Sequence, residues 1–233
     1  MIFITGDTHR NFKRIELFTE RFNTTKDDAI IVLGDAGINY CGKYEDDNLK
    51  RHLNRLPITL LCVRGNHEER PENIDSYKKA TIEKECFKGS FFYEQDYNNL
   101  YFFDNGLYEI NNSQCLVVNG AYSVDKHYRL MNGGKWFKEE QLNDEEKKQI
   151  LSTMPQKVDF VLSHTCPHKY IPREMFIQGL NQDLVDNSME EFLDEVENKL
   201  EYKTWYCGHW HTNKTHHNMR FMYGDIIEFG KMW

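Results

Sequence analysis

Short apolar runs that end abruptly in glycine or polar residues form the main pattern of the chain. Five of them are rich in β-branched and aromatic residues and cover residues 2–4, 30–33, 60–63, 160–162 and 205–207. Runs of this length and composition predict buried β-strands. Apolar residues at roughly helical spacing separate the first three runs: Phe12, Ile15, Leu17, Phe18 and Phe22, and more weakly Leu49, Leu53 and Leu56. This alternation predicts right-handed βαβ units and a mostly parallel sheet.

The middle of the chain has a different pattern, in which short strand candidates follow one another directly. They cover residues 91–93, 100–103, 107–110 and 115–119, and Asn, Asp and Gly separate them. This spacing predicts antiparallel hairpins in a second sheet. Residues 139–152 and 186–200 carry helical patterns, and strands return between residues 205 and 229. We therefore predict an α/β fold in which two sheets pack together with helices outside.

Length and composition favour one globular domain spanning residues 1–233, because no linker, repeat or low-complexity tract divides the chain. The formal net charge of −8 argues against a general nucleic-acid binder. The six cysteines form no C-x-x-C pair, which favours structural thiols.

The first apolar run, residues 2–4, is too short for a signal peptide or a membrane span. A cytoplasmic protein without membrane partners is the simplest expectation.

Polar residues of metal-ligand type follow each of the five strand-like runs. They are Asp7, His9, Asp35, Asn66, His164, His209 and His211. Side chains delivered repeatedly at strand ends indicate a site built on a rigid sheet. A set of buried polar groups without metal is the alternative, but burying two carboxylates and four imidazoles together would be costly.

These residues stand in the motifs Gly6-Asp7-Thr8-His9, Gly34-Asp35, Gly65-Asn66-His67-Glu68, Ser163-His164-Thr165 and Gly208-His209-Trp210-His211. In this order they resemble the calcineurin-like metallophosphoesterases, whose pattern is D-x-H, G-D, G-N-H-[DE], H and G-H-x-H. The resemblance implies an αββα sandwich of two mixed β-sheets flanked by helices. It also implies one metal on Asp7, His9 and His211, a second on Asn66, His164 and His209, and Asp35 bridging both.

The resemblance implies two divalent metal ions, and the ligand types narrow these to transition metals. Imidazole and carboxylate without thiolate suit Mn, Fe, Zn, Co or Ni better than Mg or Ca, and we favour Mn. In the family, metal-bound hydroxide attacks the phosphate ester. The resemblance gives His67 the task of stabilising or protonating the leaving oxygen. Arg10 is the favoured cation for the phosphate. Arg64 is a second substrate-binding candidate, and a surface residue at the end of the sheet is the equal alternative for it.

The segment of residues 120–129 mixes cations with aromatic residues after a strand. We predict that it forms a wall of the substrate site, with Lys126 and Arg129 as substrate-binding candidates. A solvated loop is the alternative.

The motifs depart from the protein serine/threonine phosphatase branch, which continues its second motif as G-D-x-x-D-R-G. Here the chain reads Gly34-Asp35-Ala36-Gly37-Ile38-Asn39-Tyr40, so the phosphate-binding arginine of that branch has no counterpart at this position. We therefore predict hydrolysis of a small-molecule or nucleotide phosphomonoester or phosphodiester. A nuclease is the enzymatic alternative, disfavoured by the acidic balance. A non-catalytic scaffold is the other class, and no ligand is missing that would favour it.

Overall fold

The computed structural model describes residues 1–176, 179 and 181–231, and its strands form one mixed sheet. Thirteen strands lie within these residues: β1 (Ile2–Thr5), β2 (Ala29–Leu33), β3 (Thr59–Val63), β4 (Lys78–Glu83), β5 (Phe87–Tyr93), β6 (Leu100–Phe103), β7 (Gly106–Ile110), β8 (Ser113–Val118), β9 (Phe160–Ser163), β10 (Thr204–Cys207), β11 (Lys214–His216), β12 (Met219–Phe221) and β13 (Ile226–Glu228). Their order across the sheet is β11-β12-β10-β9-β8-β7-β5-β6-β3-β2-β1-β13, and β4 pairs with β5.

Five α-helices lie within the described ranges: α1 (Lys13–Phe22), α2 (Lys43–Leu53), α3 (Lys126–Met131), α4 (Asp144–Thr153) and α5 (Ser188–Lys199). Four of them fall where the apolar spacing predicts helices, whereas α3 has only six residues and carries no such pattern. Helix α4 begins at a capping box, in which Asn143 and Glu146 bond each other's backbone N–H groups. Among the described residues, no helix is long and apolar enough to cross a membrane.

The strands nearest the predicted site are parallel, as the βαβ pattern predicts. β1, β2, β3 and β6 pair in parallel, and so do β8, β9, β10 and β12. The middle of the chain is antiparallel, also as predicted. Because parallel neighbours point in one direction, their carboxyl ends share an edge of the sheet.

The prediction of two separate sheets differs from the observed hydrogen bonding, which runs continuously through β5. Its last residues pair with β6 at Phe91↔Phe103, whereas its first residues pair with β7 at Phe87↔Ile110. One strand therefore connects the two halves of the sheet. The mixed α/β class is confirmed, and continuous hydrogen bonding joins the strands of both halves in one large sheet.

Three buried clusters of apolar residues hold the helices to the sheet. An inner cluster combines residues from both halves of the strand order, such as Leu61 of β3 and Leu162 of β9. A second cluster joins Ile15 of α1 and Leu53 of α2 to outward residues of the first half. A third joins Ile150 of α4 and several residues of α5 to β8, β9 and β10. Both faces of the site-bearing strands are therefore covered, which fixes the positions of their ends.

Candidate metal centre

The carboxyl ends of five strands deliver the seven predicted metal ligands to one place. In the first half of the sheet, Asp7 and His9 follow β1, Asp35 follows β2 and Asn66 follows β3. In the other half, His164 follows β9, and His209 and His211 follow β10. The side chains come together although 204 positions separate the first from the last (211 − 7). The ends of parallel strands meet at a common edge, which makes this convergence possible.

A first group consists of Asp7, His9 and His211. The two imidazole Nε2 atoms lie 3.0 Å apart, and Asp7 Oδ2 lies 3.3 Å from that of His211 and 3.7 Å from that of His9. Ligands bound at about 2.0–2.2 Å from one metal ion are separated by roughly 3.0–3.5 Å. The three donor atoms are therefore close to the arrangement that one cation requires.

A second group forms around His164, whose Nε2 lies 3.0 Å from Asn66 Oδ1 and 3.4 Å from Asp35 Oδ1. The other carboxylate oxygen of Asp35, Oδ2, lies 3.8 Å from His9 Nε2 in the first group. Asp35 thus faces both groups, as a bridging ligand would. The His209 ring packs edge-on to His164 at 4.9 Å between ring centroids.

The chemistry of these donors fits divalent cations. Asp7 Oδ2 is buried and makes no hydrogen bond within the described part of the chain, although acceptors in this position normally have a partner. Burial alone would lower the pKa of His164, yet the carboxylates of Asp35 and Asp7 raise it to about 9. Burial, together with His164, lowers the pKa of His209 to about 3, so its imidazole is neutral and able to bind a metal. The site therefore attracts positive charge and offers lone pairs to it.

The backbone around these ligands is held in unusual conformations. Of nine non-glycine residues with positive φ in the described ranges, five belong to the motif loops: His9, Arg10, Asp35, His209 and His211. Each such conformation costs roughly 1–2 kcal/mol in an L-residue. Strain of this kind concentrates at functional sites, where the surrounding structure enforces it.

Two motif glycines allow ligand side chains to approach the backbone closely. A Cβ on Gly34, which has φ +90°, would lie 2.0 Å from His164 Nδ1. A Cβ on Gly208 would lie 2.3 Å from Asp7 Oδ1 and 2.5 Å from the Leu33 carbonyl oxygen. The glycine in these motifs is therefore required by packing against the ligands themselves.

Polar residues behind the ligands complete the site, and Glu68 is one that the sequence did not single out. Its buried carboxylate accepts hydrogen bonds from the backbone N–H groups of Gly37 and Gly65, which joins two motif loops. Burial and the nearby Asp35 carboxylate raise the pKa of Glu68 to about 7.

Ser123 is another polar residue behind the predicted ligands. Its Oγ accepts a hydrogen bond from Asn66 Nδ2, which leaves Asn66 Oδ1 facing His164.

His67 lies at the border between the metal ligands and an open cavity of about 280 Å³. Its Nε2 lies 3.9 Å from Asp35 Oδ2 and 3.7 Å from Asp125 Oδ2. Its ring also offers a nitrogen close enough to His9 and Asp35 for these three residues to form a group that could hold a metal ion. Burial lowers the pKa of His67, and Arg129 acts in the same direction. The ring is thus placed where it could contact a substrate bound over Asp35.

The four predicted substrate cations have different surroundings. Arg10 donates hydrogen bonds to Asp46 Oδ1 and to the Gly37 carbonyl oxygen, each at 2.6 Å, and does not line the cavity of the metal site. Arg64 is buried, and its guanidinium donates to the Glu140 carbonyl oxygen at 2.8 Å. Burial lowers the pKa of Arg64 to about 10.

The other two predicted cations belong to α3. The ammonium group of Lys126 lies over the Trp136 ring, 3.4 Å from its centroid. Arg129 turns inward and approaches His67 Nδ1 at 3.4 Å. Of the four, Arg129 is therefore the cation that contacts a predicted catalytic residue in the described structure.

Comparison with known proteins agrees with this geometry. The family model described as calcineurin-like phosphoesterase matches residues 1–213, which include all seven predicted ligands and His67. A comparison with curated proteins finds no match. A match over most of the chain, together with the convergence of the motif residues, leads to one conclusion: the chain belongs to the calcineurin-like phosphoesterase family, whose members hydrolyse phosphoesters in a metal-dependent reaction.

Proposed function

We propose that this chain, as a single domain over residues 1–233, is a dinuclear-metal-dependent phosphoesterase. The observation that carries the proposal is the position of Asp35, whose two carboxylate oxygens face two separate groups of donors. Asp7, His9 and His211 would hold one ion, and Asn66, His164 and His209 the other. Two divalent transition-metal ions, with manganese favoured, would activate water and bind the phosphoryl oxygens. His67 would stabilise or protonate the leaving oxygen.

We propose a small-molecule or nucleotide phosphomonoester or phosphodiester as substrate. The part of the cavity beyond the ligands has a mainly apolar wall, formed by Val124, Met175, Phe176, Val185 and Trp210. None of the described residues that line it is Lys or Arg. A polynucleotide path would need several cations and stacking platforms. The lining therefore supports a compact small-molecule or nucleotide ester over a nuclease substrate.

The remaining expectations are part of the same proposal. The inner cluster shared by both halves of the sheet, with an outer cluster on each side, supports an αββα sandwich arrangement. All six cysteines are free thiols, which supports a reducing cytoplasm.

The test is hydrolysis of two aryl substrates, a phosphate monoester and a phosphodiester, with and without added manganese. Asp35→Asn should abolish manganese-dependent turnover, because one amide oxygen cannot bridge two cations as a carboxylate does. Asp225→Asn is the matched control, since Asp225 follows Gly224 in a Gly-Asp pair outside the site motifs and is exposed. It should retain wild-type turnover.

The outcomes separate the classes of function. Turnover that persists in Asp35→Asn would indicate a contaminating phosphatase and contradict the proposal. Bound manganese without turnover of either ester would favour the non-catalytic scaffold. Cleavage of single-stranded or nicked DNA that exceeds turnover of both aryl esters would favour the nuclease.

A further inference from the structure

Arg129 has a more specific position than a substrate-binding residue requires. Its side chain is only 7% exposed, and its guanidinium is already surrounded by protein groups. Nη1 donates to the Lys135 carbonyl oxygen at 3.1 Å, Nη2 donates to Ser123 Oγ, and Nε lies 3.0 Å from Asp125 Oδ1. The remaining contact is between Nη1 and His67 Nδ1, at 3.4 Å. Little of the guanidinium is therefore left for a phosphate.

The contact with His67 determines which ring nitrogen carries the proton. Arginine has five N–H donors and no acceptor, and it is not deprotonated in proteins. A nitrogen that faces it at hydrogen-bond distance must offer a lone pair. His67 Nδ1 is therefore the acceptor, and the ring proton is on Nε2, the atom that faces Asp35 and Asp125 at the cavity.

The surroundings of Arg129 keep it in place. Glu140 is buried, and its carboxylate accepts hydrogen bonds from the backbone N–H and the hydroxyl of Ser123, with Oε2 4.0 Å from Arg129 Nη2. Ser123 Oγ also accepts from Asn66 Nδ2. One buried network thus supports both a predicted metal ligand and the ring that follows it in the chain. A buried guanidinium without such partners would be strongly destabilising.

We propose that Arg129 is a positioning residue that fixes the tautomer of His67, so that His67 acts by donating a hydrogen bond from Nε2 and not by transferring a proton. The inference rests on the phosphoesterase function proposed above. When the bond between phosphorus and the leaving oxygen breaks, the electron pair stays on that oxygen, which accepts a hydrogen bond from His67 Nε2–H. The attacking water loses a proton to solvent, and a solvent water protonates the leaving oxygen. His67 therefore begins and ends the reaction with the same proton.

The first experiment reads the tautomer directly. Nitrogen-15 NMR of zinc-loaded protein, with the His67 signals assigned through His67→Gln, distinguishes a protonated ring nitrogen from an unprotonated one. We expect an unprotonated Nδ1 and a protonated Nε2 in the wild type. A proton on Nδ1 would overturn the proposal. The tautomer is read from the wild-type protein and does not depend on whether the protein is a phosphoesterase.

The second experiment compares Arg129→Met and Arg129→Lys on esters with good and poor leaving groups. Removing the guanidinium should lower kcat about 10- to 100-fold on a poor leaving group, the usual cost of losing a partner that orients a functional side chain. The loss should be much smaller on an activated aryl ester. Lysine should not restore kcat, because an ammonium group cannot reproduce the planar arrangement of donors. Met131→Ala, at an exposed position of the same helix and outside the segment of residues 120–129, is the control.

A double-mutant cycle separates positioning from a general structural effect. In a His67→Ala background, Arg129→Met should change kcat by less than about 2-fold, because the group through which Arg129 acts is absent. An equal loss in both backgrounds, or on both leaving groups, would assign Arg129 a structural role and overturn the proposal. Absence of any manganese-dependent hydrolysis in the wild type would instead contradict the proposed function, and the NMR result would still stand.

Discussion

Gly208→Ala should disable the metal centre through a single added methyl group. The new Cβ would lie 2.3 Å from Asp7 Oδ1 and 2.5 Å from the carbonyl oxygen of Leu33, which itself is hydrogen-bonded to His164. Carbon and oxygen atoms normally approach no closer than about 3.3 Å, so the carboxylate must retreat by roughly 1 Å. The Leu33 carbonyl oxygen belongs to the backbone of β2, so it cannot move aside as a flexible side chain would.

The displacement is large compared with the tolerance of a metal site. Ligand distances are held within about 0.2 Å, and a misplacement of roughly 1 Å can cost 10²-fold in rate. We therefore expect manganese affinity and turnover to fall at least 10²-fold. Overpacking should also destabilise the fold by about 1–3 kcal/mol, which corresponds to a decrease in Tm of roughly 2–12 °C for a domain of this size.

Calorimetric titration of manganese into metal-free protein, thermal unfolding and aryl ester hydrolysis measure these effects. Gly224→Ala is the matched control, because the nearest heavy atom to its Cβ would be 4.0 Å away. It should keep wild-type affinity, turnover and Tm. Wild-type manganese affinity and turnover in Gly208→Ala would refute the reasoning that this glycine is required by the approach of Asp7.

Two further substitutions test groups behind the ligands. Ser123→Ala removes the acceptor of Asn66 Nδ2 and should weaken manganese binding about 10- to 100-fold; unchanged manganese affinity by calorimetry would contradict this role. Glu190 accepts a hydrogen bond from Thr165 Oγ1, and burial raises its pKa from 4.5 to about 7. Between these pH values the folded state binds more protons than the unfolded state, so stability should fall as pH rises from about 4.5 to 7. Denaturant unfolding of metal-free Glu190→Gln should lack this component of the pH dependence, and identical profiles for variant and wild type would rule it out.

The convergence of the seven predicted ligand positions could be predicted from the sequence because their signal is local. Each follows a short apolar run, and a strand such as Ile2–Thr5 has both faces buried, so its apolar residues are continuous. The parallel arrangement follows from strand–helix alternation. Once the strands are taken as parallel, the meeting of their ends at one edge of the sheet can be predicted without knowing any individual side-chain contact.

The surroundings of the cations depend on distant partners and could not be predicted in this way. Arg10 pairs with Asp46, which lies 36 positions further along the chain in α2, and Arg64 bonds the Glu140 carbonyl, 76 positions away. Nothing in the local pattern distinguishes these arginines from phosphate-binding ones. Helix α3 was missed because six residues with only Arg129 buried give no apolar periodicity.

The order of the ligands along the chain has a consequence for biosynthesis. Asp7 and His211 share one donor group but are separated by 204 positions (211 − 7). At synthesis rates of roughly 5–20 residues per second, Asp7 would wait on the order of 10–40 s for its last partner to be made. During most of this interval the growing chain holds Asp7, His9 and Asp35 without His164, His209 and His211. Metal loading is therefore expected to be among the last events in folding, and a bound ion would then clamp β1 to β10 and slow the unfolding of the finished protein.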